Sequence, residues 1–204
     1  MIALDHIAVA GETLAAATRH VEEVLGVPLE QGGEHDVFYT HNTLLGLEDD
    51  LYLEAIAANP DAPVPDRARW FDLDRFTGPP RLTNWICRCD DLDATLAALP
   101  EGFGTPVALK RGDLRWRMAV PVDGVLPFDN CAPALMQWLG DARPALRLRQ
   151  RDCRLTSFEV RHPDADALAE LLAPVLADGR ISFRTGAPQL CAKFTTAKGP
   201  ATLR

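Results

Sequence analysis

The chain has 204 residues, a net charge of −8 and 47% apolar residues, enough for one large domain or two small ones with a proper core. The acidic balance argues against a general nucleic-acid binder, which needs clustered Lys and Arg, and no apolar run of about 18 residues is present to span a membrane as a helix. Five cysteines at unpatterned spacings read as free thiols of a reduced, cytoplasmic protein, and the opening residues, with Asp5 and His6 and no basic leader, read as structure and not as a signal peptide.

The stretch Leu4-Asp5-His6-Ile7-Ala8-Val9-Ala10 organises the chain. Ile7 and Val9 alternate with His6 and Ala8, the period of a strand, which sends Ile7 and Val9 toward a covering helix and Leu4, His6 and Ala8 to the other face. Gly11-Glu12-Thr13 opens a helix with Thr13 as its cap. Leu14, Ala17, Val21, Val24 and Leu25 form its stripe, and Gly26 and Pro28 stop it. Strands are expected near 29–31, 37–47 and 51–57, with turns at Gly32-Gly33 and Glu48-Asp49-Asp50. In the last of these, Leu51, Leu53 and Ala55 alternate with Tyr52, Glu54 and Ile56. If the first set packs on the helix, Glu54 shares the open face with His6, where a carboxylate and an imidazole are potential ligands of a divalent metal; the alternative is a surface glutamate and a hydrogen-bonded core histidine.

Residues 59–80 are proline-rich and read as a connection with one short helical turn around Trp70 to Phe76. Trp70, Phe71 and Phe76 are expected to cap a core edge or a cleft mouth. The first strand is then repeated at Leu82 to Cys89, and Asp90-Asp91 opens a second helix marked by Leu92, Leu96 and Leu99. Aligning the helix starts puts Leu92 on Leu14 and Asn84 on His6. Strands follow near 105–110, 114–120 and 134–138, and alternation places Gln137 at the position of Glu54. Arg115 and Arg117 alternate with Trp116 and Met118. If the apolar pair packs on the helix, both arginines face the cleft and can hold a carboxylate or phosphate; the alternative is a solvated strand face. His41 is a further polar candidate, alternating with Asn42, so only one of the two can face the cleft.

This order of motifs resembles the vicinal oxygen chelate superfamily, and within it the glyoxalase-like, bleomycin-resistance and dioxygenase group. The resemblance rests on Leu4 to Ala10, on Tyr52-Leu53-Glu54-Ala55-Ile56, on Asp90-Asp91-Leu92, on Leu114 to Ala119, and on Leu126-Pro127-Phe128 and Gln137-Trp138. It implies an α+β fold of tandem βαβββ modules, about 1–58 and 81–140, forming a curved mixed sheet around a cleft. It also implies a ligand set of His6, Glu54, Asn84 and Gln137 for a divalent ion such as manganese, nickel or zinc. Asparagine and glutamine depart from the family's stronger donors, and a single histidine does not make a two-His, one-carboxylate iron site.

The tail, 144–204, reads as a third, incomplete βαββ unit packed on the first two. Its strands are expected near 155–161, 181–185 and 190–196, its helix over 163–176, and an edge strand of alternating Arg and Leu over 141–152. Two functions are consistent with all this. One is a lyase or isomerase acting on a small oxygen-rich molecule through a divalent ion, or with Glu54 as a metal-free base. The other is a module that sequesters a small ligand without chemistry. No nucleotide cofactor, nucleic acid or membrane partner is expected, and the chain can form a homodimer.

Overall fold

A computed structural model describes residues 1–47 and 50–204; Glu48 and Asp49, within one expected turn, lie outside the described residues. The first module runs β1 (Ile2–Ala10), α1 (Leu14–Leu25), β2 (Glu30–His35), β3 (Thr40–Leu47) and β4 (Leu51–Ala58). The second runs β5 (Arg81–Cys89), α2 (Leu92–Ala97), β6 (Thr105–Arg111), β7 (Leu114–Val120) and β8 (Ala134–Trp138). All eight strands join one mixed sheet in the order β2-β3-β4-β1-β5-β8-β7-β6. Each module pairs its first strand in parallel with its last, and β1 meets β5 antiparallel at the centre. The sheet curls until its outer edges approach, and the Arg111 guanidinium of β6 reaches His35 of β2 and Asn42 of β3.

Local chemistry accounts for the helices. Thr13 Oγ1 accepts the Ala16 N–H at 3.2 Å, and Gly26 ends α1 in the left-handed region at φ 71°, which glycine adopts without steric cost. Ala17, Val21 and Leu25 are the buried face of α1. The shorter α2 is capped by Asp91, whose carboxylate accepts from Ala94 N at 3.0 Å, and Leu92 alone is fully buried.

One irregularity shapes the site. The β1–β5 register passes from Leu4↔Cys87 to His6↔Ile86, which leaves Asp5 as an extra residue. A bulge of this kind puts two successive side chains on one face. Asp5 and His6 therefore both reach the concave side, and Leu4 joins the opposite face with Cys87, the reverse of what strict alternation predicts.

The connection 59–80 carries a 3-10 turn at Trp70–Asp72, with Phe71 and Asp72 in the left-handed region at φ 61° and 58°. It lays Trp70 and Phe71, each buried, over the cleft, while Phe76 sits at the core edge beneath the Arg81 guanidinium.

The tail forms β9 (Cys153–His162), α3 (Ala165–Leu172), β10 (Ile181–Thr185), β11 (Gln189–Thr196) and β12 (Gly199–Leu203) in a second sheet of order β10-β9-β11-β12. The expected strand–helix–strand–strand sequence is there, with a further strand after the Ala197-Lys198 turn. Pairing differs from the modules: β9 lies parallel to the strand that follows its helix, not to the last one. This sheet packs behind β5, where Trp85 meets Phe158 at 5.6 Å, and Leu82 N donates to Arg204 O at 2.9 Å. The edge strand expected over 141–152 is absent. Pro144, which has no N–H for a ladder, starts a 3-10 turn instead, and Arg147 pairs with Asp113. All five cysteines are buried and none is in a disulfide, and no helix among the described residues is long and apolar enough to cross a membrane.

Candidate functional site

The polar floor of the concavity comes from the first module. His6 pairs with Tyr52 across β1 and β4, and their rings stack at 4.3 Å. Glu54, two residues further along β4, brings Oε2 to 3.7 Å from His6 Nε2. On the other side of the ring, His6 Nδ1 lies 2.7 Å from Asp5 Oδ1, and Trp138 Nε1 donates to Asp5 Oδ2 at 2.9 Å. An imidazole thus sits between two carboxylates, all three groups buried. Burial opposes the charge on His6, but the hydrogen bonds and charges of Asp5 and Glu54 outweigh it and raise the imidazole pKa. Burial would likewise raise both carboxyls. His6, aided by Trp138 at Asp5 and by His35 and Asn42 at Glu54, holds them below the ordinary carboxylate range.

A second chain of donors fixes Glu54. Asn42 Oδ1 accepts from Gly33 N at 2.9 Å and from Arg111 Nη1 at 3.1 Å, so its amide nitrogen is left to donate to Glu54 Oε1. His35 Nδ1 lies 2.9 Å from Thr40 Oγ1, and Nε2 lies 3.4 Å from Arg111 Nη1. Burial, with the charges of Arg111 and His6 acting in the same direction against that of Glu54, lowers the His35 pKa to about 4, so the ring is neutral at pH 7. Burial beside Asp5 and Glu54 keeps the Tyr52 phenol protonated. The walls are apolar: Trp70, Phe71, Trp116, Met118, Met136 and Trp138. The space left over the floor is about 30 Å³, room for one or two waters. The Trp70 indole N–H is buried without a partner.

Of the residues singled out from the sequence, the fold brings His6 and Glu54 together. Asn84 pairs with Ala8 on the concave face, but it is fully buried away from the cleft lining, its Oδ1 3.5 Å from Asn130 Nδ2 and its own Nδ2 unpartnered. Gln137 faces the other way: it donates to Asp90 O at 2.6 Å and accepts from Leu92 N at 3.3 Å, tying down the start of α2. By strand register the counterpart of Glu54 is Ala134. Ala8 pairs with Glu54, and Ile86, which holds the place of Ala8 when the helix starts are aligned, pairs with Ala134. On β7 and β8 the expected alternation is inverted. Trp116 and Met118 face the cleft; Arg117 turns outward to a bidentate pair with Asp93, and Arg115 folds back onto Gly112 O and Leu114 O. His41 lies on the α1 side, because its neighbour Asn42 takes the cleft.

Asp5, His35 and Arg111 were not anticipated. Asp5 depends on a bulge that a period-two count does not contain, while His35 and Arg111 meet only because the sheet edges approach. Asn42 was legible as the alternative to His41.

A divalent ion held by the chain would meet His6 Nε2 and Glu54 Oε2. Ala134 offers no donor, Gln137 is on the far side, and among the described residues no three His, Cys, Asp or Glu side chains gather as metal ligands. The residues do not fit a resident ion of the four-donor kind.

The sequence profile of the family described as "Glyoxalase-like domain" matches residues 4–176. No curated protein sequence matches the chain. Among solved structures, a hypothetical protein from Staphylococcus aureus superposes with a TM-score of 0.65 at 14% identity, over 93% of this chain and 88% of that one, a likeness of fold. The Mn(II)-bound glyoxalase from Novosphingobium aromaticivorans gives 0.49 at 11% identity, over 92% of this chain and 62% of that one. Methylmalonyl-CoA epimerase from Mycobacterium tuberculosis gives 0.43 at 22% identity, over 71% and 90%. With its profile match over most of the chain and its paired βαβββ modules around one cleft, the chain belongs to the glyoxalase-like domain family.

Proposed function

We propose that the cleft binds a small oxygen-bearing molecule by its carbonyl end and transfers a proton on it, chemistry of the isomerase or lyase type, with Glu54 as the base. The observation that carries this reading is the approach of His6 Nε2 to Glu54 Oε2 at 3.7 Å on a polar floor between aromatic and methionine walls. Glu54 is ionised and lies beside the free space over the floor, so it can accept a proton from a carbon next to a carbonyl. The positive His6, oriented by Asp5, offsets the charge that develops nearby, and Arg111 and the Trp70 N–H supply donors for an oxygen that gains negative charge. The floor admits only the reacting head of a ligand; the remainder lies beyond the aromatic walls.

A second reading, capture without chemistry, is favoured by the way the floor groups already satisfy one another and by the lowered pKa of Glu54, which weakens it as a base. One experiment separates the two. A panel of 2-oxo acids and α-hydroxy ketones is incubated in D₂O with the protein, and loss of the α-hydrogen is followed by proton NMR. Exchange catalysed by the wild type and lost in Glu54→Gln is expected. Binding without exchange refutes the first reading in favour of capture, and binding undiminished in Arg111→Gln refutes the placement of the ligand oxygen.

A further inference from the structure

A second cavity of about 290 Å³ opens beside the floor, and His35 and Trp116 form part of the wall of both. Near the lower end of the usual range for ligand pockets, it is some tenfold larger than the space over His6 and Glu54. Its lining is mainly apolar: Val37, Ala108, Leu109 and Leu139, with the Trp116 ring at the inner end. Leu139, 46% exposed, stands at its mouth. The rim is charged. Lys110 and Arg115, paired across the β6–β7 hairpin, stand on one side, and Asp36 on the other. Neither cation forms a close ion pair within the chain among the described residues; the Arg115 charge is felt by Asp113 in the turn, and its guanidinium is steadied by Gly112 O and Leu114 O.

We propose that this outer cavity is the subsite for the rest of the substrate: an unbranched apolar arm of several carbons that ends in a carboxylate held between Lys110 and Arg115. The inference rests on the cleft reading above for where the head binds. Together they define the substrate class as a small carbonyl compound with an apolar tail and a distal anion. His35 and Trp116 line both spaces, so the two adjoin, and the arm passes over this shared wall from one to the other. The apolar walls reward each buried methylene, and two cations on the same rim select a negative end over a neutral one. Asp36, across the mouth, turns that end toward the hairpin by repulsion.

The test uses the full chain and two probe series of four to ten carbons, straight-chain monocarboxylates and α,ω-dicarboxylates, with binding followed by tryptophan fluorescence and confirmed by calorimetry. Affinity is expected to rise two- to fourfold per added methylene until the cavity is filled, with dicarboxylates of matching length about tenfold tighter than monocarboxylates. In Lys110→Gln/Arg115→Gln the dicarboxylate advantage should vanish while the dependence on chain length remains; in Leu139→Ser the length dependence should flatten. If affinity is independent of length while the four-carbon probes still bind and respond to Arg111→Gln, the subsite is overturned and the cleft reading stands. If no probe binds, both are overturned. A dicarboxylate advantage that survives the double substitution overturns the assignment of the anion site.

Discussion

Replacing His6 by leucine tests the electrostatics of the floor directly. Leucine roughly keeps the volume, so the change reads the charge more than a cavity. In the wild type one imidazolium serves two carboxylates, Asp5 at 2.7 Å and Glu54 at 3.7 Å, each less than a twentieth exposed. Removing the cation orphans both, and breaking a buried pair by deleting one partner costs about 3–5 kcal/mol. Glu54→Gln should cost only about 1 kcal/mol, because the amide oxygen still accepts from Asn42 and His6 keeps Asp5. The double variant His6→Leu/Glu54→Gln has one orphaned charge in place of two, and should recover roughly 1–2 kcal/mol relative to His6→Leu. Urea unfolding of the four proteins at pH 6 measures the cycle. The pH dependence carries a sign. The raised His6 pKa makes its contribution complete below the ordinary histidine value of 6.5, and the contribution is lost as pH rises through the folded value. The two lowered carboxyl pKa values make theirs complete above the ordinary carboxylate range, to be lost on acidification. The gap between wild type and His6→Leu should therefore be widest near pH 5–6, within the window these shifts define. A His6→Leu cost under about 1 kcal/mol, or strict additivity in the cycle, would refute the picture of a shared cation.

Three further outcomes follow from single residues. His35, neutral with a pKa lowered from 6.5 to about 4, makes the unfolded chain bind the extra proton between those values, so stability should fall by up to about 3 kcal/mol as pH drops from 6.5 to 4, and His35→Gln should flatten that slope in urea titrations at a series of pH values. Gln137→Ala should cost about 1 kcal/mol by freeing the start of α2 and leave probe binding unchanged; a loss of Mn²⁺ affinity in this variant, read by calorimetry, would instead restore Gln137 to the cleft. Gly26→Ala should cost about 1 kcal/mol in thermal unfolding, since φ is 71° there and the new Cβ would fall 2.6 Å from the movable Lys198 Cδ.

The paired modules were legible because their signals are local. Thr13 and Asp91 cap their helices, Gly26 stops one, and the alternation of Leu53 with Glu54 reads the face correctly. The second module defeated the same logic for a physical reason. Trp116, Met118, Met136 and Trp138 are apolar because the cleft is apolar, and hydropathy does not distinguish a residue that lines a ligand space from one that packs under a helix. Arg117 and Gln137 then fall on the helix side, where α2 is short and polar enough to receive them. Asp5 was hidden by one extra residue in a strand, and Arg111 by a contact between elements more than seventy residues apart.

The meeting of β2 and β6 also bears on self-association. Both are sheet edges, and an open edge is a template for pairing with another chain. Here the two edges face one another with no ladder between them, and the Arg111 side chain acts as the latch. Each carries its own deterrent: β2 has paired glycines and a register shift at Gly32, and β6 has Pro106, which offers no N–H. A latch made of side chains opens at less cost than a ladder, and opening it frees two edges at once while the β1–β5 ladder still holds the modules together. Edges freed in this way can pair with those of a second copy, so weakening Arg111 should register in storage at high concentration as a rising dimer fraction.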